Sequence, residues 1–217
     1  MSGGQAFAPN DFISSLAITI GFRDWAYRRR AVDLLQLAKG DRVLEIGCGT
    51  GRNFPLLERA VGPAGTVIAL DISEKMLDQS RRRAARHGWS NIEFVEADVG
   101  KYEFTGSVDG VLSTYALVVV PEYDRVLENA FRALRVGKRC VILDQKLPSG
   151  AAARLVPLLN FLSRPLDYSG MLRERHLWES IQHHSGNLLF EERYFGFIYL
   201  AAGEKKAAPV GDRAGQG

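Results

Sequence analysis

Val43-Leu44-Glu45-Ile46-Gly47-Cys48-Gly49-Thr50-Gly51 is the stretch on which the fold turns. A short apolar run leads straight into three glycines at alternate positions. Such a loop can turn tightly and let a ligand approach its backbone, because glycine lacks a Cβ and enters positive φ freely. In open α/β sheets the ligand site lies outside the carboxyl ends of the strands, at a switch point. An ordinary glycine turn is the alternative, and the rest of the chain has to separate the two.

Outward from the loop the chain alternates strand and helix. Residues 24–38 carry Trp25, Val32 and Leu35 at helical spacing, closed by Gly40-Asp41. Residues 42–46 are the first strand, 52–60 a helix closed by Gly62-Pro63, and 66–70 a second strand ending at Asp71. Ser73 caps a helix with Met76, Leu77, Ser80 and Ala84 on one side, which stops at Gly88. Residues 92–95, 108–112 and 140–143 read as three more strands. Before the last of these, a helix opens at Pro121, places Val126, Leu127, Ala130 and Phe131 on one face, and ends at Gly137. Strands this continuously apolar are covered on both faces. The expected fold class is therefore α/β, a Rossmann-like doubly wound sheet. Beyond Pro148 the rhythm breaks: residues 151–162 and 174–183 read as helices of a small lid. Residues 188–195 and 197–201 read as two closing strands joined at Gly196.

Two carboxylates favour a ligand over a bare turn. Asp71 ends the second strand, where an acidic side chain can accept both hydroxyls of a ribose; a helix-capping role is the alternative. Asp98 follows the third strand in Glu96-Ala97-Asp98-Val99 and could accept from an exocyclic adenine amine, or serve as a loop carboxylate. A dinucleotide loop needs G-x-G-x-x-G. Arg52 stands where its third glycine would be, and no G-x-x-x-x-G-K-[ST] is present.

Composition narrows the partners. Lys and Arg number 28 against 25 acids, a net charge of +3 that is too small to imply nucleic acid. Cys48 and Cys140 stand far apart with no C-x-x-C pair, which fits a reducing compartment and a cytoplasmic location. Residues 1–10 lack the pattern of a secretory signal, and the apolar stretch 12–22 is short of the ~20 residues that span a bilayer. The 217 residues are expected to form a single domain: 1–40 covering helices, 41–146 the core, 147–186 a substrate lid, 187–202 the closing strands and 203–217 a disordered tail.

In combination, Glu45 to Gly51, Asp71 and Glu96-Ala97-Asp98 resemble the motifs of class I S-adenosylmethionine (SAM)-dependent methyltransferases, over residues 30–144. The resemblance implies a seven-stranded sheet with a C-terminal antiparallel hairpin. It implies SAM as cofactor, S-adenosylhomocysteine as product, and no metal. Carried over, Gly47, Gly49 and Gly51 would pack under the methionine and ribose of SAM, and Glu45 would orient its ammonium. Asp71 would hold the ribose, Ile72 and Met76 would sandwich the adenine, and Asp98 with Val99 would meet its edge. A backbone carbonyl at Ser113 or Thr114 would meet the SAM amine.

The acceptor is harder to read. The chain has Ser113-Thr114-Tyr115-Ala116 where amine methyltransferases of nucleic-acid bases carry [DN]-P-P-[YF], which argues against nucleic acid. The chain is more weakly similar to bacterial phosphatidylethanolamine N-methyltransferases and to quinone-biosynthesis C-methyltransferases, although the Tyr-Asp pair of the latter is absent near the N-terminus. A small-molecule or lipid acceptor follows, with an amine head group first and C- or O-methylation of a quinone or phenol second. A non-catalytic SAM-binding protein is the reading from another class. Tyr115 and Asp144, both expected on the rim, are the candidate catalytic groups; His176, His183 and His184 are weaker ones. Residues 12–22 and 151–166, each with arginines beside or within them, would account for a peripheral membrane contact or would simply cover the site. Arg28-Arg29-Arg30 spread over roughly 200° of a helix and cannot form one face. Oligomeric state is not readable.

Overall fold

The computed structural model describes residues 24–148 and 175–207. Its elements are α1 (Asp24–Leu35), β1 (Arg42–Ile46), α2 (Phe54–Val61), β2 (Thr66–Asp71), α3 (Glu74–His87), β3 (Ile92–Glu96), β4 (Val108–Thr114), α4 (Tyr123–Ala133), β5 (Leu134–Gln145), α5 (Leu177–His184), β6 (Ser185–Arg193) and β7 (Ile198–Lys205). They build one seven-stranded sheet in the order β3-β2-β1-β4-β5-β7-β6. The pairings from β3 through β5 are parallel, whereas β7 runs antiparallel to both β5 and β6. The Rossmann-like sheet and its closing hairpin are as expected.

The alternation along each strand feeds two cores. Leu44, Ile46, Ile68 and Leu70 pack with Val126, Leu127, Phe131 and Ile181 on the α4 and α5 side. Val43, Val67, Ala69 and Leu143 pack with Leu35, Phe54, Leu57 and Leu77 on the α1, α2 and α3 side. Ser73 caps α3 by accepting the Met76 N–H, and Gly88 ends it in the left-handed region. Because the order in which successive strands are added reverses between β1 and β4, which lie side by side and parallel, the carboxyl ends of β1, β2 and β4 meet at a switch point, beside the glycine loop.

Several boundaries differ from the sequence expectation, each for a local reason. Helix α1 stops at Leu35 rather than 38, since Gln36 takes a positive φ of 53°. Helix α2 begins at Phe54 rather than 52, where Pro55 suits the first turn. Helix α4 starts at Tyr123 rather than Pro121 and ends at Ala133. Gly137 is not its stop: Leu134 is already extended and pairs with Val108, and Gly137 sits at φ 78° in an irregular stretch of β5. Gly203 to Lys205, expected in a tail, belong to β7 and pair with β5 and β6. The closing strands meet through a short 3-10 turn, Tyr194–Gly196. The lid helix 151–162, the apolar stretches 12–22 and 151–166, and residues 208–217 lie outside the described residues. Among the described residues no helix is long and apolar enough to cross a membrane.

Candidate functional site

The glycine loop is pinned to β2 before it meets anything else. Gly47 N–H and Cys48 N–H both donate to the Leu70 carbonyl, at 2.8 and 3.0 Å. Gly47 stands at φ 67°, and a Cβ there would lie 2.3 Å from that of Ala116. Gly49, at φ 55°, faces nothing within 4 Å. The loop is thus closed against the protein at one glycine and open at the next, as a ligand cradle requires. Cys48 is a small buried side chain under the loop, and burial holds its thiol well above the ordinary range.

Asp71 ends β2 beside this opening. Its Oδ2 accepts the Gly49 N–H at 2.7 Å, and its Oδ1 accepts the Ser73 N–H at 2.9 Å. Each carboxylate oxygen keeps further acceptor capacity after those bonds. The residue therefore shapes the loop and caps the approach to α3, with room left to receive hydroxyls. Ile72 is 67% exposed and Met76 half-buried, on the same rim. Asp98 accepts the Gly100 N–H at 3.0 Å and pairs with Lys101 at 3.2 Å, while Val99 packs against the core.

Glu45 is a buried carboxylate near the end of β1. It is 1% exposed, and Asn53 Nδ2 donates to its Oε1 at 2.6 Å. Its Oε2 is buried and has no partner among the described residues. Burial pushes its pKa up to about 7, against the Asn53 hydrogen bond and the Arg28 charge, which both favour the anion. A buried orphan acceptor of this kind costs stability until a donor fills it. A cationic donor such as a ligand ammonium makes a stronger hydrogen bond to a carboxylate than a neutral donor does.

At the end of β4, Ser113 is buried and its Oγ has no partner. Thr114 Oγ1 accepts from Arg28 Nη1 at 2.8 Å and from Asn53 Nδ2 at 2.9 Å. Tyr115 follows at φ 56°, tied by its N–H to the Leu143 carbonyl, with the Arg28 guanidinium 5.1 Å from its ring centre. Burial first, and then the Asp24 charge, hold its phenol above the ordinary value, so it is a neutral hydroxyl near pH 7.

Asp144 corrects an expectation. It is not on an open rim: it is fully buried, Oδ2 accepting Val118 N–H at 3.0 Å and Oδ1 accepting Gln145 N–H at 2.8 Å. Both oxygens are committed to backbone, and its role is to hold the turn after β4. Of the histidines, His184 stacks on Phe131, His176 is exposed and stacks on Trp178, and His183 is exposed beside His184.

The sequence reading missed Asp24, Arg28 and Asn53. Asp24 Oδ2 meets Arg28 Nε and Arg52 Nη2, each at 2.9 Å, and Arg28 Nη1 donates to Asn53 Oδ1 at 3.1 Å. The signal was the i, i+4 spacing of Asp24 and Arg28. Inside a run of three arginines it could not be told from a solvated helix surface.

The sequence matches the methyltransferase domain family over residues 37–173. The chain belongs to that family. It is 33% identical over 165 residues to the ubiquinone/menaquinone biosynthesis C-methyltransferase UbiE of Pseudomonas putida strain GB-1, a match covering 73% of this chain and 64% of the relative. The chain thus spans just under two thirds of the length of that curated relative. In fold, it resembles a possible exported protein of Bordetella parapertussis (TM-score 0.72, 18% identity, 95% of this chain and 76% of the other). It also resembles a SAM-dependent methyltransferase of Aquifex aeolicus (TM-score 0.59, 17% identity, 91% and 98%). Sheet order and glycine loop agree with that family and with the class I SAM-dependent methyltransferase fold, and SAM is the cofactor of that class. The residues of this chain fit that cofactor: an open glycine cradle, an acidic end to β2, and an orphan carboxylate oxygen at the end of β1.

Proposed function

We propose that the protein transfers the methyl group of SAM to a ring carbon of a quinol-type aromatic molecule, with S-adenosylhomocysteine as leaving group and the displaced ring proton passing to solvent. The observation that carries the cofactor half is Glu45, a fully buried carboxylate with one oxygen unfilled beside the glycine loop. The similarity to UbiE C-methyltransferases supports the acceptor half. It also moves the preference from the amine head group to the second expectation, carbon methylation of a quinone or phenol. Nothing among the described residues favours the amine.

SAM, when bound, supplies a methyl group on a sulfonium, activated for in-line displacement. The protein's part is then binding, orientation and exclusion of water. In this reading Glu45 receives the ammonium, and the backbone of Gly47, Gly49 and Gly51 lets the cofactor lie against the loop. Asp71 receives the ribose hydroxyls, Ile72 and Met76 flank the adenine, and Asp98 and Val99 meet its edge. A carbonyl at Ser113 or Thr114 faces the amine. Tyr115 stays protonated at neutral pH, so it orients an acceptor oxygen by hydrogen bonding rather than taking its proton.

The test is a panel of quinol, phenol and phosphatidylethanolamine acceptors incubated with SAM and read by mass spectrometry. Methylation on a ring carbon supports the reading. Methylation on nitrogen, or SAM binding with no transfer to any acceptor, overturns it; the latter would make the protein a SAM-binding partner instead.

A further inference from the structure

The Asn53 side chain is where two halves of the site are joined. An amide has one acceptor end and one donor end, and either can face a given neighbour. Here Arg28 Nη1 donates to Oδ1 at 3.1 Å, so the donor end must face Glu45 Oε1 at 2.6 Å and Thr114 Oγ1 at 2.9 Å. If the guanidinium were absent, the amide could turn over and set its oxygen against the Glu45 carboxylate. Arg28 is itself fixed, being 8% exposed and held at Nε by both oxygens of Asp24, at 3.0 and 2.9 Å. Asp24 also pairs with Arg52, the residue directly after Gly51. One turn of α1 therefore touches the glycine loop, the start of α2 and the end of β4.

We propose that Arg28, held by Asp24, is a positioning residue: it aims the Asn53 amide so that one oxygen of Glu45 is taken and the other is left for the cofactor's ammonium. Through Thr114 and the stacked Tyr115 ring it ties that arrangement to the acceptor side. This rests on the reading above that Glu45 meets the ammonium. Among the described residues, the charged and titratable groups that face Glu45 are Arg28 from α1, Asp71 from the end of β2 and Cys48 from the loop. Removing Arg28 takes away the one cation among them, so Glu45 would hold its proton to higher pH.

The experiment is calorimetric titration of the full chain with SAM at pH 6, 7 and 8. Arg28→Met is expected to weaken binding at least tenfold at pH 8 and to move the pH dependence to the alkaline side. Arg28→Lys should recover at least threefold of that loss. Asn53→Ala should weaken binding as well, and the double variant should be no weaker than Asn53→Ala alone by more than twofold, because both changes remove one device. Arg28→Met binding within twofold of the parent at all three pH values, or losses that multiply in the double variant, would overturn the proposal. If Arg28→Met fails to fold by circular dichroism, Asp24→Asn releases the same pair and should weaken binding at least threefold, with unchanged affinity counting against the idea. Glu45→Gln separates the two layers. Should it bind SAM as tightly as the parent, the Glu45 reading fails. Should it bind weakly while Arg28→Met binds normally, only the present inference fails.

Discussion

Asp71 and Glu45 occupy similar places at neighbouring strand ends, yet their surroundings give them different properties. Asp71 is half-buried and bonded at both oxygens by N–H groups. Replacing it with alanine also frees Gly49, so SAM affinity should fall by well over tenfold; calorimetry showing unchanged affinity would refute the assignment. Glu45 is buried with an orphan oxygen, and its pKa is raised from 4.5 to about 7. A carboxyl whose pKa is raised on folding contributes stability that is full below about pH 4.5 and is lost as pH rises through about 7. The cofactor-free protein should therefore melt at lower temperature at pH 8 than at pH 5.5, in part because Asp144 is raised to about 7 as well. Glu45→Gln should flatten that decline without abolishing it. A melting profile for Glu45→Gln as steep as the parent's would contradict the account.

At the scale of elements, the glycine loop and the turn after β4 depend on single contacts. Gly47→Ala combines a positive φ with a 2.3 Å overlap on Ala116. A cost of about 2–4 kcal/mol is expected from strain and overpacking together. For a chain of this size that lowers the melting temperature by roughly 4–16 °C. Asp144→Ala leaves the Val118 and Gln145 N–H groups without their acceptor, at about 1–3 kcal/mol each. Scanning calorimetry on both variants checks these values. The elements were mostly legible beforehand. Continuous apolar strands, the Ser73 cap and Gly88 marked β1 through β3 and the helices between them. Gly137 misled because a glycine after a helical stretch signals a stop, while the structure uses it inside a strand irregularity. Such a use depends on the partner strand and cannot be seen in one segment.

Across the whole molecule, the residues expected around the cofactor gather at the carboxyl edge of one sheet. Glu45, the glycine loop, Asp71 and Ser113 to Tyr115 come from the ends of three strands. Their types and spacing were visible in sequence because three alternate glycines after one apolar strand and a carboxylate closing the next form a local pattern. Asp144 looked equivalent, since a strand-end carboxylate reads alike whether it faces a cleft or the backbone of the next turn. Asp24, Arg28 and Asn53 did not stand out because the contacts that bring them into the site span up to 86 positions, as between Arg28 and Thr114. Tertiary contact, not local pattern, made them part of the site. The acceptor is the remaining step. Incubation with SAM carrying an isotope-labelled methyl group and a demethylated quinol measures it directly. The account predicts label on a ring carbon of the quinol, lost in Asp71→Ala; label on nitrogen or oxygen, or bound SAM with no label transferred, would contradict it.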